Sequence, residues 1–300
     1  MPAEPSIHQF DLSRRRERIK RAIVATRPAF LTASLIPVTV AFSLMQQQTG
    51  EWPLALYLAV MLCVGLIHAG ANTINDYFDH KNGTDLHNLD RIYPFTGGSR
   101  MIQNEVISPQ EMRSLSVLLL GSGVFLGVFI GLLIEPKALG FGLIGLILAY
   151  FYSAPPCLVC KGLGDVVIAV CFGLLPMLGI FTLMNGTDWQ AMMHQSIVMG
   201  LLTAAILWVN SIPDIQADIK AGKQTLVARL GLRYAQWALI VLTLLSSAYA
   251  IQLTPFAWIL TLPLGLIFWG LYSNTLKLSI IGVVLLHALG GLSLIVENLV

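Results

Sequence analysis

Nine long apolar runs, separated by short polar loops, leave this chain few folds to choose from. Their approximate limits are 22–45, 53–75, 113–134, 137–154, 163–184, 191–211, 234–253, 255–273 and 277–297. Each is roughly 18–25 residues, long enough for a helix to cross a bilayer. Only short turns separate 137–154 and 255–273 from their neighbours. With 56% hydrophobic residues and a mean hydropathy of +0.74, the chain reads as an integral membrane protein and not as a soluble one with a large core. The net charge of +2 comes without a basic patch interleaved with aromatics, which sets nucleic-acid binding aside.

Loop charge sets the expected orientation. Lys and Arg occur before the first run, in 76–113, at Lys161, in 218–233 and at Lys277. The loops at 46–52, 185–190 and 252–254 carry none, and 135–137 carries only Lys137. The positive-inside rule then places the N-terminus and the two long polar loops in the cytoplasm and the C-terminus outside. Residues 1–21 are polar and basic, with Arg14, Arg15, Arg16, Arg18, Lys20 and Arg21 leading into the first run. They read as a juxtamembrane segment at the anionic leaflet, not as a cleavable signal. Cys157 and Cys160 form a lone C-x-x-C with no second pair, so they are expected to be free thiols near a helix end, without zinc.

Two polar segments interrupt this pattern. In 68–100, His68, Asn72, Asn75 or Asp76, and Asp79 recur at spacings of three and four, which places them on one helical face. Asp85 and Asp90 follow in the loop. In 210–233, Asn210, Asp214 and Asp218 stand four apart, and Pro213 predicts a break near the membrane surface. Asp79–Gly83 and Asp218–Gly222 both read D-x-K-x-G, after the second and the sixth runs. The repeat predicts two similar half-bundles, each giving an acidic helix end to one shared site.

Acids at membrane helix ends are costly unless paired, metal-bound or functional. Asp76, Asp79, Asp85, Asp214 and Asp218, with Asn75 and Asn210 beside them, form an all-oxygen set suited to Mg²⁺, which commonly bridges carboxylates to phosphate oxygens. Arg91, Arg100, Lys161, Lys220 and Lys223 fall in the same layer. Acids, metal and bases together are the arrangement expected around a diphosphate. His68, His287 and Trp208 read as packing residues.

The motif Asn75-Asp76-x-x-Asp79 with Asp214-x-x-x-Asp218 resembles the two aspartate-rich motifs of the UbiA superfamily of intramembrane prenyltransferases. The segment Tyr152-Ser153-Ala154-Pro155-Pro156 before Lys161 is similar to that family's loop between the fourth and fifth spans. The resemblance covers about 22–297. It implies an all-α bundle of about nine transmembrane helices around a central cavity open sideways to lipid, forming one domain over 1–300. It further implies Mg²⁺-dependent transfer of a polyprenyl group from its diphosphate to an aromatic acceptor, with no obligate protein partner evident, in a bacterial or archaeal inner membrane and with the site facing the cytoplasm. Asp76, Asp79, Asp214, Asp218 and Lys161 would then be catalytic. Asn75, Asp85 and Asn210 would join the four aspartates at the metal, and Asn72, Arg91, Arg100, Tyr152, Lys161, Lys220 and Lys223 would bind substrate. Many members have a third acid four residues after the position of Asp79, where this chain has Gly83. Asn82-Gly83-Thr84-Asp85, Asn210-x-x-x-Asp214 and Gly222-Lys223-Gln224-Thr225-Leu226 resemble instead the 1,4-dihydroxy-2-naphthoate branch of menaquinone synthesis, with 4-hydroxybenzoate as the alternative acceptor. The loop from Asp85 to Arg100, ending in Pro94-Phe95-Thr96-Gly97-Gly98-Ser99, has the glycines of a lid. Two rival classes remain at this level: a secondary transporter, with repeated half-bundles and intramembrane acids, and a membrane phosphotransferase.

Overall fold

The computed structural model describes residues 4–11 and 14–300, apart from the side chains of Leu86 and His87. Of the basic cluster, Arg14 onward falls within this range. Every regular element among the described residues is helical. Lipid offers no partners to backbone N–H and C=O groups, so each apolar run must satisfy them internally.

Among the described residues, nine helices are long and apolar enough to cross a membrane: Pro28–Thr49, Leu54–Lys81, Pro109–Ile134, Pro136–Ser153, Gly164–Leu183, Trp189–Ser211, Leu226–Leu253, Pro255–Tyr272 and Leu276–Leu299. The two runs with the shortest connections, 137–154 and 255–273, are therefore both separate spans. Two boundaries move in ways that matter. The first span begins at Pro28 because Arg27 is left-handed (φ 55°) and ends the preceding helix α1 (Arg15–Ala25). The second, α3 (Leu54–Lys81), runs about two turns beyond the apolar limit, so Asp76 and Asp79 are helical residues.

The first span is α2 (Thr32–Thr49) with its 3₁₀ entry, and it packs on the last, α13 (Leu276–Leu299). Helix α3 packs along the third span, α5 (Pro109–Ile134), whose start is fixed by Ser108 and Glu111 in a reciprocal capping box. The fourth span contains α6 (Leu139–Ser153). The fifth is not one regular helix. It is α7 (Gly164–Ala169), a π turn at Val170–Leu174, and α8 (Leu175–Leu183). At that turn the backbone approaches the sixth span, α9 (Trp189–Ser211), very closely. A Cβ on Gly173 would sit 2.5 Å from the Gly200 Cα. Only glycines permit this crossing, which sets Phe172 and Cys171 against the bundle interior. The seventh span, α11 (Leu226–Leu253), is broken after its first turn by left-handed Gly231 (φ 71°).

One end of the bundle collects the N-terminal segment and the loops at 82–108, 154–163 and 212–225. Arg21 donates to Val106 O at 2.9 Å and pairs with Glu111 at 2.9 Å. Phe10, Ala25, Met101, Ile102, Val106, Ile107 and Met112 form a small apolar cluster there, so the juxtamembrane segment is folded onto the first long loop. The opposite end is closed by Asn298, which exchanges hydrogen bonds with Gln195 at 2.8 and 3.0 Å and donates to Ser43 at 3.0 Å.

Candidate active site

Helix α3 delivers Asn72, Asn75, Asp76 and Asp79 on one face, in the order their spacing requires. After α9, Pro213 interrupts the helix and a short α10 (Ile215–Lys220) follows, carrying Asp218 with Asp214 at its start. The two acid segments meet at the polar end of a cavity of about 230 Å³. Asn72, Asn75, Asp79, Asp85, Tyr152, Asn210, Asp214, Asp218 and Lys223 line it, with apolar wall from Phe30, Phe95 and Phe172.

The acids are oriented by specific partners. Ser153 donates to Asn75 Oδ1 at 2.5 Å, Asn75 Nδ2 donates to Asp79 Oδ2 at 3.0 Å, and Lys223 Nζ donates to Asp79 Oδ1 at 2.5 Å. Asn75, expected at the metal, thus uses its oxygen on Ser153 and its amide to hold Asp79. Asp214 Oδ1 accepts from Asn88 at 2.8 Å, and Asp218 Oδ2 accepts from Thr225 at 3.2 Å. Asp76 is buried. Its Oδ2 accepts from the Ser99 N–H at 3.1 Å, while Oδ1 has no partner. The glycine pair of the first loop explains how that loop reaches it. A Cβ on Gly98 (φ 73°) would lie 3.0 Å from Asp76 Oδ1 and 3.5 Å from both Asp85 carboxylate oxygens. Phe95, Thr96, Gly97 and Gly98 therefore form part of the cavity wall.

Burial raises the proton affinity of Asp85, Asp214 and Asp218, the acids outside the spans. Burial, then the Asp79 and Asp76 charges, push Asp85 up to about 8. Burial pushes Asp214 to about 6 against the Asn88 hydrogen bond. Burial also pushes Asp218 to about 7, with Lys223 opposing and Asp214 adding. Burial alone would make Lys223 easier to deprotonate, but Asp79 and Asp218 more than offset this and raise its pKa. A site of this kind favours added positive charge.

A hard divalent cation suits these residues. Buried oxygens without hydrogen-bond partners remain on Asp76, Asn88 and Asn210, and the surrounding donors are carboxylates and amides. No group of three His, Cys, Asp or Glu among the described residues could hold an ion by itself. Ligands from a bound anion and from water would have to complete the shell.

Four expected substrate-binding bases lie elsewhere. Lys161 is exposed at the end of a 3₁₀ turn, and its carbonyl, not its ammonium, is engaged, by Arg229 at 3.1 Å. Lys220 is exposed in the last turn of α10. Arg91 pairs with Glu4 at 2.7 Å and donates to Asn88 O at 2.7 Å. Arg100 donates to Asp85 O at 2.7 Å and approaches Glu4 at 4.0 Å. The last two fasten the loop to the N-terminal segment and do not line the cavity. The cation that reasoning from sequence missed is Arg27. It lines the cavity, lies over the Phe30 ring at 4.1 Å, donates to Phe95 O at 3.0 Å and keeps Nε buried without a partner. The only local signal was a basic residue directly before Pro28. His68 lines the cavity too, bonded to Ser34 and edge-on to Phe172. Cys157 and Cys160 are not free thiols: they form a disulfide.

A family model described as the UbiA prenyltransferase family matches residues 34–289. The chain is 29% identical over 271 residues to a 1,4-dihydroxy-2-naphthoate octaprenyltransferase of Haemophilus influenzae, covering 83% of this chain and 84% of that protein. It is 32% identical over 226 residues to a protein of the same name from Escherichia coli, covering 71% and 70%. Among solved structures, the apo structure of a UbiA homologue from Aeropyrum pernix K1 superposes with a TM-score of 0.67 at 17% identity, over 89% of this chain and 97% of that one. A UbiA homologue from Archaeoglobus fulgidus bound to DMAPP and Mg²⁺ superposes with a TM-score of 0.64 at 18% identity, over 92% and 99%.

Proposed function

This chain belongs to the UbiA prenyltransferase family and is a prenyltransferase of the membrane, and from that premise we propose a Mg²⁺-dependent transfer of a polyprenyl group from its diphosphate to 1,4-dihydroxy-2-naphthoate. The observation that carries this reading is the meeting of two acid segments, far apart in sequence, at the polar end of one cavity with an aromatic wall. Relatives that bear the name 1,4-dihydroxy-2-naphthoate octaprenyltransferase support the acceptor. The A. fulgidus homologue bound to DMAPP and Mg²⁺ supports the donor class and the metal.

In this reading Asp76, Asp79, Asp214 and Asp218 hold the cation, with Asn210 and Asp85 beside them. When bound, Mg²⁺ supplies positive charge that neutralises the leaving diphosphate. Lys223 donates to diphosphate oxygens from the same side, switching from its pairing with Asp79. Ser153 and Asn75 keep the Asp79 carboxylate turned inward, and Asn88 does the same for Asp214. The C–O bond of the allylic diphosphate breaks, the electron-rich ring attacks the carbon left cationic, and the ring regains aromaticity by shedding the group that the new bond displaces, as a proton or as carbon dioxide. The loop through Phe95–Gly98 keeps water out, which would otherwise capture that carbon. Arg27, above Phe30 in the cavity wall, binds the acceptor's carboxylate, a role closed to Arg91 and Arg100, which do not line the cavity. The cluster of basic loops at this end supports a cytoplasmic-facing site.

Purified protein, Mg²⁺, a radiolabelled prenyl diphosphate and a panel of aromatic acids test the proposal. Prenylated dihydroxynaphthoate, with turnover abolished by EDTA and restored by Mg²⁺, is the expected outcome. A higher kcat/KM for 4-hydroxybenzoate would sink the acceptor assignment. Full turnover in EDTA would sink the role of the metal.

A further inference from the structure

The C-x-x-C pair is not used by the proposed reaction. The Cys157–Cys160 disulfide spans Cα atoms 5.2 Å apart in the loop between α6 and α7, and both residues are half-buried. That loop has little structure of its own, with a single 3₁₀ turn at Val159–Lys161. Its carbonyls nevertheless support the second acid loop. Cys160 O accepts from the Gln224 N–H at 2.9 Å, and Lys161 O accepts from Arg229 at 3.1 Å. Gln224 stands between Lys223, which holds Asp79, and Thr225, which holds Asp218. Val159, inside the same turn, lines the cavity. The cross-linked turn is thus an abutment for the Lys223 loop.

A disulfide on the face that carries the basic loops would stand in a reducing compartment. Disulfides found there are usually transient, catalytic or redox-sensing. We infer that Cys157 and Cys160 form a reversible thiol–disulfide modification site that sets how firmly the Lys223 loop is held, and through it the affinity for the diphosphate of the substrate. The inference rests on the function and orientation proposed above. Reduction by a dithiol breaks the one S–S bond and delivers two electrons and two protons. Two thiols form here, and the dithiol leaves as its own disulfide. The freed turn then presents Cys160 O to Gln224 less reliably.

The test uses the full chain in detergent, before and after dithiothreitol and after reoxidation, beside the double variant Cys157→Ser/Cys160→Ser. Alkylation and intact mass report the thiol state, because Cys63 and Cys171 are the other two cysteines and are free. Reduction is expected to raise the KM for the prenyl diphosphate by roughly 5-fold or more, the lower range of coupling between linked sites. Reoxidation should restore it, and the double variant should show the reduced value and ignore dithiothreitol. Calorimetric binding of inorganic diphosphate with Mg²⁺ carries the same comparison without turnover. An absence of prenyl transfer therefore counts against the functional reading alone. Unchanged KM and unchanged diphosphate affinity upon verified reduction would overturn the inference. So would a dithiothreitol response that persists in the double variant. If that variant misfolds, the reduced and reoxidised wild-type protein still decide the matter.

Discussion

The two D-x-K-x-G segments have the same backbone and opposite chemistry. In the first, Asn82 N donates to Phe78 O and Gly83 N to His80 O. In the second, Ala221 N donates to Ala217 O and Gly222 N to Ile219 O. Both glycines are left-handed, at φ 81° and 73°, just beyond the last helical residues Lys81 and Lys220. This is a glycine helix stop made twice. After the glycine the copies diverge. The first continues through Thr84 to Asp85, a buried acid two residues past its glycine, and the second places Lys223, a buried base, directly after its own. The motif lysines, Lys81 and Lys220, are both exposed. The supports differ as well. The first acid end belongs to one continuous 28-residue helix and is covered by a long loop, whereas the second follows a helix break and leans on the C-x-x-C turn. The repeat therefore shapes the chain, and the one or two residues beyond each stop decide the charge.

Variants can break this comparison. If the halves serve one site, Asp79→Ala and Asp218→Ala should each lower turnover on the order of 10²–10³-fold, the scale on which removal of one charge-stabilising group acts. Folding, followed by size-exclusion profile, should be intact. Activity surviving the loss of either acid would separate the halves. A smaller effect distinguishes the bases. Lys223→Met should slow turnover roughly 10–100-fold, while Lys81→Ala and Lys220→Ala leave it unchanged. Equal losses at all three lysines would mean that general surface charge, and not position, matters.

The next effect concerns stability. Asp85 has its pKa raised to about 8 by burial and by Asp79 and Asp76. The unfolded carboxyl ionises near pH 4. Folding must therefore either keep it protonated or bury a charge, and the cost grows between those two values. Asp85→Asn should raise the thermal midpoint of the metal-free protein at pH 8 and have little effect at pH 4. A lowered midpoint at pH 8 would show that its hydrogen bond with Gln103, at 2.7 Å, outweighs the cost of burying its charge beside Asp79 and Asp76. The smallest effect tests the shared backbone. A methyl on Gly83 or Gly222 would meet no atom within 4 Å. Each Gly→Ala change should therefore cost only the left-handed penalty of about 1–2 kcal/mol, equally at both positions, by chemical denaturation.

The sequence by itself determined the nine spans, the end of the bundle that gathers the acids, the face shared by Asn72, Asn75 or Asp76, and Asp79, and the break at Pro213. Each of these follows from hydropathy, helical periodicity or local backbone preference, which act over a few turns. Which bases face the cavity was decided only in three dimensions. Lys161 and Lys220 stand in the right layer and point away, whereas Arg27, assigned to the first run by composition, turns inward because its left-handed backbone ends α1. Asn88 on Asp214 and Lys223 on Asp79 join residues 126 and 144 positions apart, and Ser153 reaches Asn75 from another span. No local pattern encodes such pairs, since they depend on how closely distant helices approach. The glycine crossing of the fifth and sixth spans and the loop folded over Asp76 set that approach.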